Sequence, residues 1–150
     1  MSSNFAFEAV NVTIDNNPRS QRRLIDDLAD DRIKICLDPV NMISARNHYR
    51  TSELIEQCFD LLGDKILAAH AKDSKYSIDK SVFLWEVTPG DGTIDYETYL
   101  KGLSSLNGEP RTLLIEHLYT DEHETIDQKY ARAKKYIEDT GKKVGVKFYW

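Results

Sequence analysis

The sequence predicts a parallel α/β fold of about four strand–helix units, and two observations carry that reading. Four short apolar runs, FAFE, IKICLD, ILAAH and TLLIE, recur along the 150 residues, and helical signals follow each of them. Each run also closes on a residue able to hold a cation: Glu8, Asp38, His70 and Glu116. Parallel strands finish at one end of a sheet, so these four side chains are expected to converge there.

The elements follow in order. After FAFEAV, the turn-rich NVTIDNNP leads into PRSQRRLIDDLAD, with Asn17 as cap, Pro18 in the first turn and Leu24, Ile25 and Leu28 as the buried stripe. IKICLD gives the second strand. The long loop DPVNMISARNHYR then reaches a helix opened by Thr51 or Ser52, whose apolar set is Leu54, Ile55, Cys58, Phe59, Leu61 and Leu62 and whose stop is Gly63. After ILAAH comes an irregular stretch in which VFLWEV is a candidate strand or hairpin at the mouth of the site. Pro89, Gly90 and Gly92 mark a tight turn, and Asp95 opens the helix DYETYLKGLSSL. Beyond TLLIE, the helix TIDQKYARAKKYIEDTG is amphipathic through Ile126, Tyr130, Ala133 and Ile137, with Gly141 as its stop. No linker or low-complexity tract interrupts the chain, so one domain is expected over residues 1–150.

Strand alternation sharpens the convergence, because successive side chains point to opposite faces. Asp38 shares a face with Cys36 and Lys34, His70 with Ala68 and Ile66, Glu8 with Ala6, and Glu116 with Leu114. Ile33, Ile35, Leu37, Phe5, Phe7, Leu67, Ala69, Leu113 and Ile115 fall on the other face. One register therefore places all four candidates together above small side chains, as a curled sheet requires. Taken singly, each has an ordinary structural role: Asp38 before Pro39 starts a turn, and a histidine in an apolar run is commonly a core residue. Four matched parities favour a shared site.

Composition narrows the partners. A net charge of -5 with dispersed basic residues disfavours a nucleic-acid backbone. Cys36 and Cys58 form no CxxC pair and read as buried thiols of a reducing compartment. The N-terminal MSSNFAFEAV has no charged and apolar signal segment, and no stretch approaches a membrane span, so a cytoplasmic protein is expected.

The segments FEAVNV, CLDPVNMI, HAKD, TPGDGTIDYETYLKGL and LLIEHL resemble the second half of the sugar phosphate isomerase and epimerase family, the xylose isomerase-like TIM barrels. The resemblance runs from about Phe5 to the last helix. It implies a half-barrel of TIM type, and Glu8, Asp38, His70 and Glu116 match the positions where the family's last four strands supply one metal. A full barrel needs eight units and about 250 residues. The expectation is therefore a C-terminal half, as a fragment or short gene product, with open edges at FAFEAV and TLLIEHL that recruit a partner. That partner is a second copy in a homodimer, or a chain carrying the missing N-terminal half.

Three carboxylates and an imidazole form a hard site suited to Mn²⁺, Mg²⁺ or Co²⁺, with Zn²⁺ as an alternative. By resemblance, Glu8 and Glu116 are also the acid/base pair for enediolate proton transfer in a sugar or sugar phosphate, while Asp38 and His70 hold the ion. Asn41, Lys72, His48, Arg50 and Trp85 are the substrate-binding candidates, with Arg46 beside them. His117, of opposite parity to Glu116, is expected to face the helices. Alternatives are a non-catalytic half-barrel assembly module or truncated remnant, an inositol-type dehydratase, and an apurinic-site endonuclease, which the four histidines and the absence of a basic stripe disfavour.

Overall fold

The computed structural model describes residues 3–10, 12–77, 83–108 and 111–150. In chain order the elements are β1 (Phe5–Phe7), α1 (Pro18–Leu28), β2 (Ile33–Leu37), α2 (Thr51–Leu62), β3 (Ile66–Ala71), β4 (Asp73–Ser77), β5 (Phe83–Val87), α3 (Tyr96–Ser105), β6 (Thr112–Ile115) and α4 (Ile126–Val144). Strands β1, β2, β3 and β6 form a parallel sheet in that order, and β4 and β5 form a separate antiparallel pair. This is the expected half-barrel, with β1 and β6 at the two edges.

Local chemistry starts and stops the helices where packing needs them. Asn17 accepts from the Arg19 and Ser20 amides, and Thr125 forms a reciprocal box with Gln128, so both helices satisfy their first free N–H groups. Asp95 accepts from the Thr98 amide at the start of α3. The core lies between the sheet and the helices. Ile35 and Leu37 of β2 are fully buried in one cluster with Ile55, Cys58 and Leu62 of α2 and Tyr96, Tyr99 and Leu100 of α3. Each such aliphatic side chain stabilises the fold by roughly 1.5–3 kcal/mol relative to exposure.

Several expectations are corrected. Strand β1 is exposed throughout, with Phe5 57% and Phe7 41% accessible, because among the described residues no strand covers its outer edge. On β3 the strict alternation fails. Ile35 pairs with Ile66 but Cys36 pairs with Ala68, so Leu67 is an extra residue in the ladder. Ile66 consequently enters the core and Leu67 is exposed, the reverse of the alternating pattern. Below the bulge the register puts Cys36 beside Ala68 and His70 beside Leu114.

Other differences lie in the helices and loops. Leu28 is exposed, and the buried side of α1 is Pro18, Gln21 and Ile25. Arg50 takes the cap position of α2, while Thr51 and Ser52 bond to Thr93 and Asp95 instead. Gly63 ends α2 in right-handed geometry and begins a short 3-10 turn. Helix α4 runs past Gly141 to Val144 and stops at Gly145, whose φ of 77° suits glycine. Gly141 serves close packing, since a Cβ there would overlap the Phe148 ring. Ile126 and Tyr130 are largely exposed, so only Ala133 and Ile137 of that stripe are buried.

The stretch after β3 holds two antiparallel strands, β4 and β5. Asp73 pairs with Val87 and Ser77 with Phe83, while Val82, at the start of the expected VFLWEV strand, lies outside the described residues. Asp73, almost fully buried, anchors this region by accepting from the amides of Ser74, Gly90, Gly92 and Ile94. Burial pushes its carboxyl upward, and the amides offset part of that shift. Among the described residues, no helix is long and apolar enough to cross a membrane.

Candidate metal centre

Asp38 immediately follows β2 and is fully buried. Its Oδ1 accepts from the Val40 amide at 3.0 Å and the Asn41 amide at 3.4 Å, which fixes the turn after the strand and leaves Oδ2 aimed inward. His70 is held from below by the core, where the Tyr99 hydroxyl lies 3.0 Å from both the Leu37 and the His70 carbonyl oxygens. Glu8 follows β1, and its Oε1 accepts from Asn41 Nδ2 at 2.6 Å. Glu116 extends β6, donating its amide to the Ala71 carbonyl at 3.3 Å.

The structure brings these four together. His70 Nδ1 lies 3.2 Å from Glu8 Oε1, 3.6 Å from Asp38 Oδ2 and 3.3 Å from Glu116 Oε2. One ligand atom from each residue falls within 4.8 Å of all the others. The opposite ring nitrogen, Nε2, is 3.3 Å from Cys36 Sγ, so Nδ1 is the nitrogen turned toward the carboxylates.

A cation fits this donor set. Asp38 Oδ2 and Glu116 Oε2 are buried and receive no hydrogen bond of acceptable angle. Buried carboxylate oxygens without directed hydrogen bonds are costly, and with Glu8 these two groups and one imidazole nitrogen supply the donors that a hard divalent ion takes. The side chain of Lys72 enters the same space. That side chain is 3% exposed, and its ammonium lies 2.8 Å from Asp38 Oδ2 and 2.7 Å from Glu116 Oε2, close in distance but off the hydrogen-bonding direction.

The charges tune one another. Burial opposes the charge on Lys72, but the facing Asp38 and Glu116 carboxylates outweigh it and raise its pKa. Burial would raise Asp38, yet His70 and Lys72 prevail and hold it below the usual carboxylate range. The Asp38 carboxylate raises His70. Cys36 is pushed up to about 11, first by burial and then by the surrounding carboxylates, so its sulfur stays protonated.

The remaining candidates divide. Asn41 and Lys72 belong to the cluster, since Asn41 bonds to Glu8 and its Oδ1 is 3.4 Å from Lys72 Nζ. Trp85 lines a cavity of about 240 Å³ with Asn41, Val10, Ile43 and Glu86. His48 stacks on Tyr76 of the hairpin at 4.0 Å between centroids, and Arg50 pairs with Glu53 and covers Tyr49. Arg46 is exposed.

His117 departs from its expected orientation. A left-handed backbone, φ 56°, swings its ring away from the helices, so that Nδ1 lies 2.5 Å from Glu86 Oε2 and Nε2 3.7 Å from Glu116 Oε2. Glu86, which sequence reasoning did not single out, thereby joins the rim, 4.0 Å from Lys72. The available signal was its alternation with Trp85 on β5, which sends one of the two toward the cluster.

A family model described as "Xylose isomerase-like TIM barrel" matches residues 4–140. The chain belongs to this family. Solved structures of xylose isomerase-like barrels superpose on nearly all of it. A Mycobacterium smegmatis protein of this type in complex with magnesium aligns at a TM-score of 0.68 and 15% identity, covering 94% of this chain and 45% of that one. The IOLI protein with a zinc atom aligns at 0.66 and 20%, covering 94% and 50%. D-psicose 3-epimerase in the presence of D-fructose aligns at 0.62 and 15%, covering 95% and 50%. Identities this low speak for the fold alone. The chain spans about half the length of these structures, and a search of curated proteins finds no match.

Proposed function

We propose that this xylose isomerase-like chain supplies the metal centre and the acid/base pair of a sugar or sugar phosphate isomerase or epimerase. The observation that supports it most is the placement of Glu8 and Glu116 just beyond the opposite edge strands, with Asp38 and His70 between them at the ends of the central strands. Glu8, Asp38, His70 and Glu116 would hold Mn²⁺, Mg²⁺, Co²⁺ or Zn²⁺. When bound, such an ion polarises a carbonyl and acidifies the adjacent C–H.

The chain's own groups then move the proton. Glu8, oriented by Asn41, removes it from one side of the carbon, and Glu116 returns it from the other through an enediolate of the substrate. Asn41 and Trp85 line the adjoining cavity, where an indole face suits the apolar face of a sugar. His48 and Arg50 reach the substrate only by leaving Tyr76 and Glu53. The sugar class is supported by what the titles of the structural neighbours name, D-psicose 3-epimerase and L-ribulose 3-epimerase. Cys36 and Cys58 are free thiols, which suits a reducing cytoplasm.

The open edges of β1 and β6 support completion of the barrel by a second copy or by an N-terminal half-barrel, with residues 1–150 acting as one domain. The same edges favour the second reading, an assembly module without catalysis. Incubating the protein with Mn²⁺ and a ketose panel in deuterated water tests both. Isomerase or epimerase activity predicts deuterium at the carbon next to the carbonyl, lost in Glu8→Gln and Glu116→Gln. No exchange by the Mn²⁺-loaded protein, alone or with its associated half, leaves the assembly module. Light scattering after size exclusion reads association directly, and a clean monomer at tens of micromolar contradicts the second-copy reading.

A further inference from the structure

Lys72 shares its contacts with the candidate cation. The three oxygens that face His70 Nδ1 are Glu8 Oε1, Asp38 Oδ2 and Glu116 Oε2. The Lys72 ammonium touches the same three atoms, at 3.7, 2.8 and 2.7 Å. A lysine that served only the substrate would extend past the strand end toward the mouth. This one folds back into the acidic cluster and is shielded from water.

Electrostatics explain the position. Three carboxylates within a few ångströms repel one another strongly where water is scarce, so the cluster needs a positive charge to stay closed. The ammonium supplies it from within the chain. Its angle is poor, however, and Asp38 Oδ2 and Glu116 Oε2 remain without a directed hydrogen bond. A divalent ion with open coordination would satisfy those oxygens better than an ammonium held off-axis by its tether between β3 and β4.

We propose that Lys72 is a tethered cation that holds the metal-free cluster together and competes with the divalent ion for Glu8, Asp38 and Glu116. Loading then requires the ammonium to withdraw from these oxygens. Asn41 Oδ1 at 3.4 Å and the Glu86 carboxylate at 4.0 Å offer it the nearest alternative partners, both on the wall of the cavity beside Trp85. The withdrawn ammonium would therefore face the substrate space, which makes ion binding precede substrate binding. The inference rests on the reading of Glu8, Asp38, His70 and Glu116 as one cation site.

Calorimetric titration with Mn²⁺ of the wild-type chain and of Lys72→Met tests it. The expected result is at least about tenfold tighter Mn²⁺ binding in the variant, with a larger rise in melting temperature on Mn²⁺ addition. Equal or weaker Mn²⁺ binding by Lys72→Met overturns the proposal while leaving the cation site intact. Failure of both chains to bind Mn²⁺ removes the site itself, and the inference with it. Should Lys72→Met not fold, acetylation footprinting of the wild type decides. Lys72 is expected to be protected without Mn²⁺ and modified with it, and protection unchanged at saturating Mn²⁺ overturns the proposal.

Discussion

The two central strands and the two edge strands hold their parts of the site in different ways. Asp38 and His70 follow or end strands flanked on both sides, and their side chains are 0% and 10% exposed. Glu8 and Glu116 extend the edge strands β1 and β6, and theirs are 31% and 33% exposed. The difference shows where stability and chemistry part company. The inner pair is welded into the core, through the Asp38 turn and through the Tyr99 hydroxyl beneath Leu37 and His70. The outer pair depends on Asn41, Lys72 and His117, and on whatever covers the open edges.

The largest expected effect is therefore at the centre. Asp38→Ala leaves Lys72 and His70 buried without their principal counter-charge, and a loss of about 3–5 kcal/mol is expected. Chemical denaturation measures it, and a loss below about 1 kcal/mol would show that the inner pair is no more structural than the outer.

Edge substitutions should separate binding from folding. Glu8→Gln and Glu116→Gln keep shape and exposure, so each should change stability by less than about 1 kcal/mol. Outer partners of metal ligands already contribute about 10–100-fold to affinity, so removal of a ligand should weaken Mn²⁺ binding by at least that much. Calorimetry and denaturation on the same samples check the contrast. It fails when either variant unfolds, or when both bind Mn²⁺ as the wild type does.

The smallest effect lies far from the site, at the opposite end of β2. Asp30 is held down to about 2, first by the Arg32 side chain and then by the Arg32 amide. A folded pKa below the ordinary aspartate value adds stability that is present above that value and fades as pH falls toward about 2. Because the pair is exposed, Asp30→Asn should lower the denaturation midpoint only slightly at neutral pH and not at all below about pH 2. A difference that grows on acidification would contradict the sign.

Much of this arrangement was legible in the sequence, for identifiable reasons. Each parallel strand is an apolar run that ends at a polar residue, so FAFE, IKICLD, ILAAH and TLLIE announced both the strands and the four convergent side chains. What stayed hidden depends on partners distant in sequence. Strand β4, DSKYS, has no apolar pattern of its own, and is anchored by Asp73 reaching the amides of Gly90, Gly92 and Ile94. The bulge at Leu67 left no mark, since ILAAH alternates acceptably in either register. The turn of His117 into the rim requires a positive φ, which is uncommon outside glycine and which nothing local in the sequence announces. Lys72 was legible as a substrate-binding candidate two residues beyond His70, but its commitment to Asp38 and Glu116 emerges only when β2, β3 and β6 lie side by side. The exposure of Phe5, Phe7 and Leu114 likewise reflects the sheet edge rather than their own apolar character.

The claim on which the account turns is that Glu8, Asp38, His70 and Glu116 share one ion. Anomalous diffraction at the manganese edge, from crystals equilibrated with Mn²⁺, tests it most directly. The account predicts a single strong peak per chain within bonding distance of the three carboxylates and of His70 Nδ1, and its loss in crystals of Glu116→Gln. A peak elsewhere on the chain, or none at saturating Mn²⁺, would contradict it.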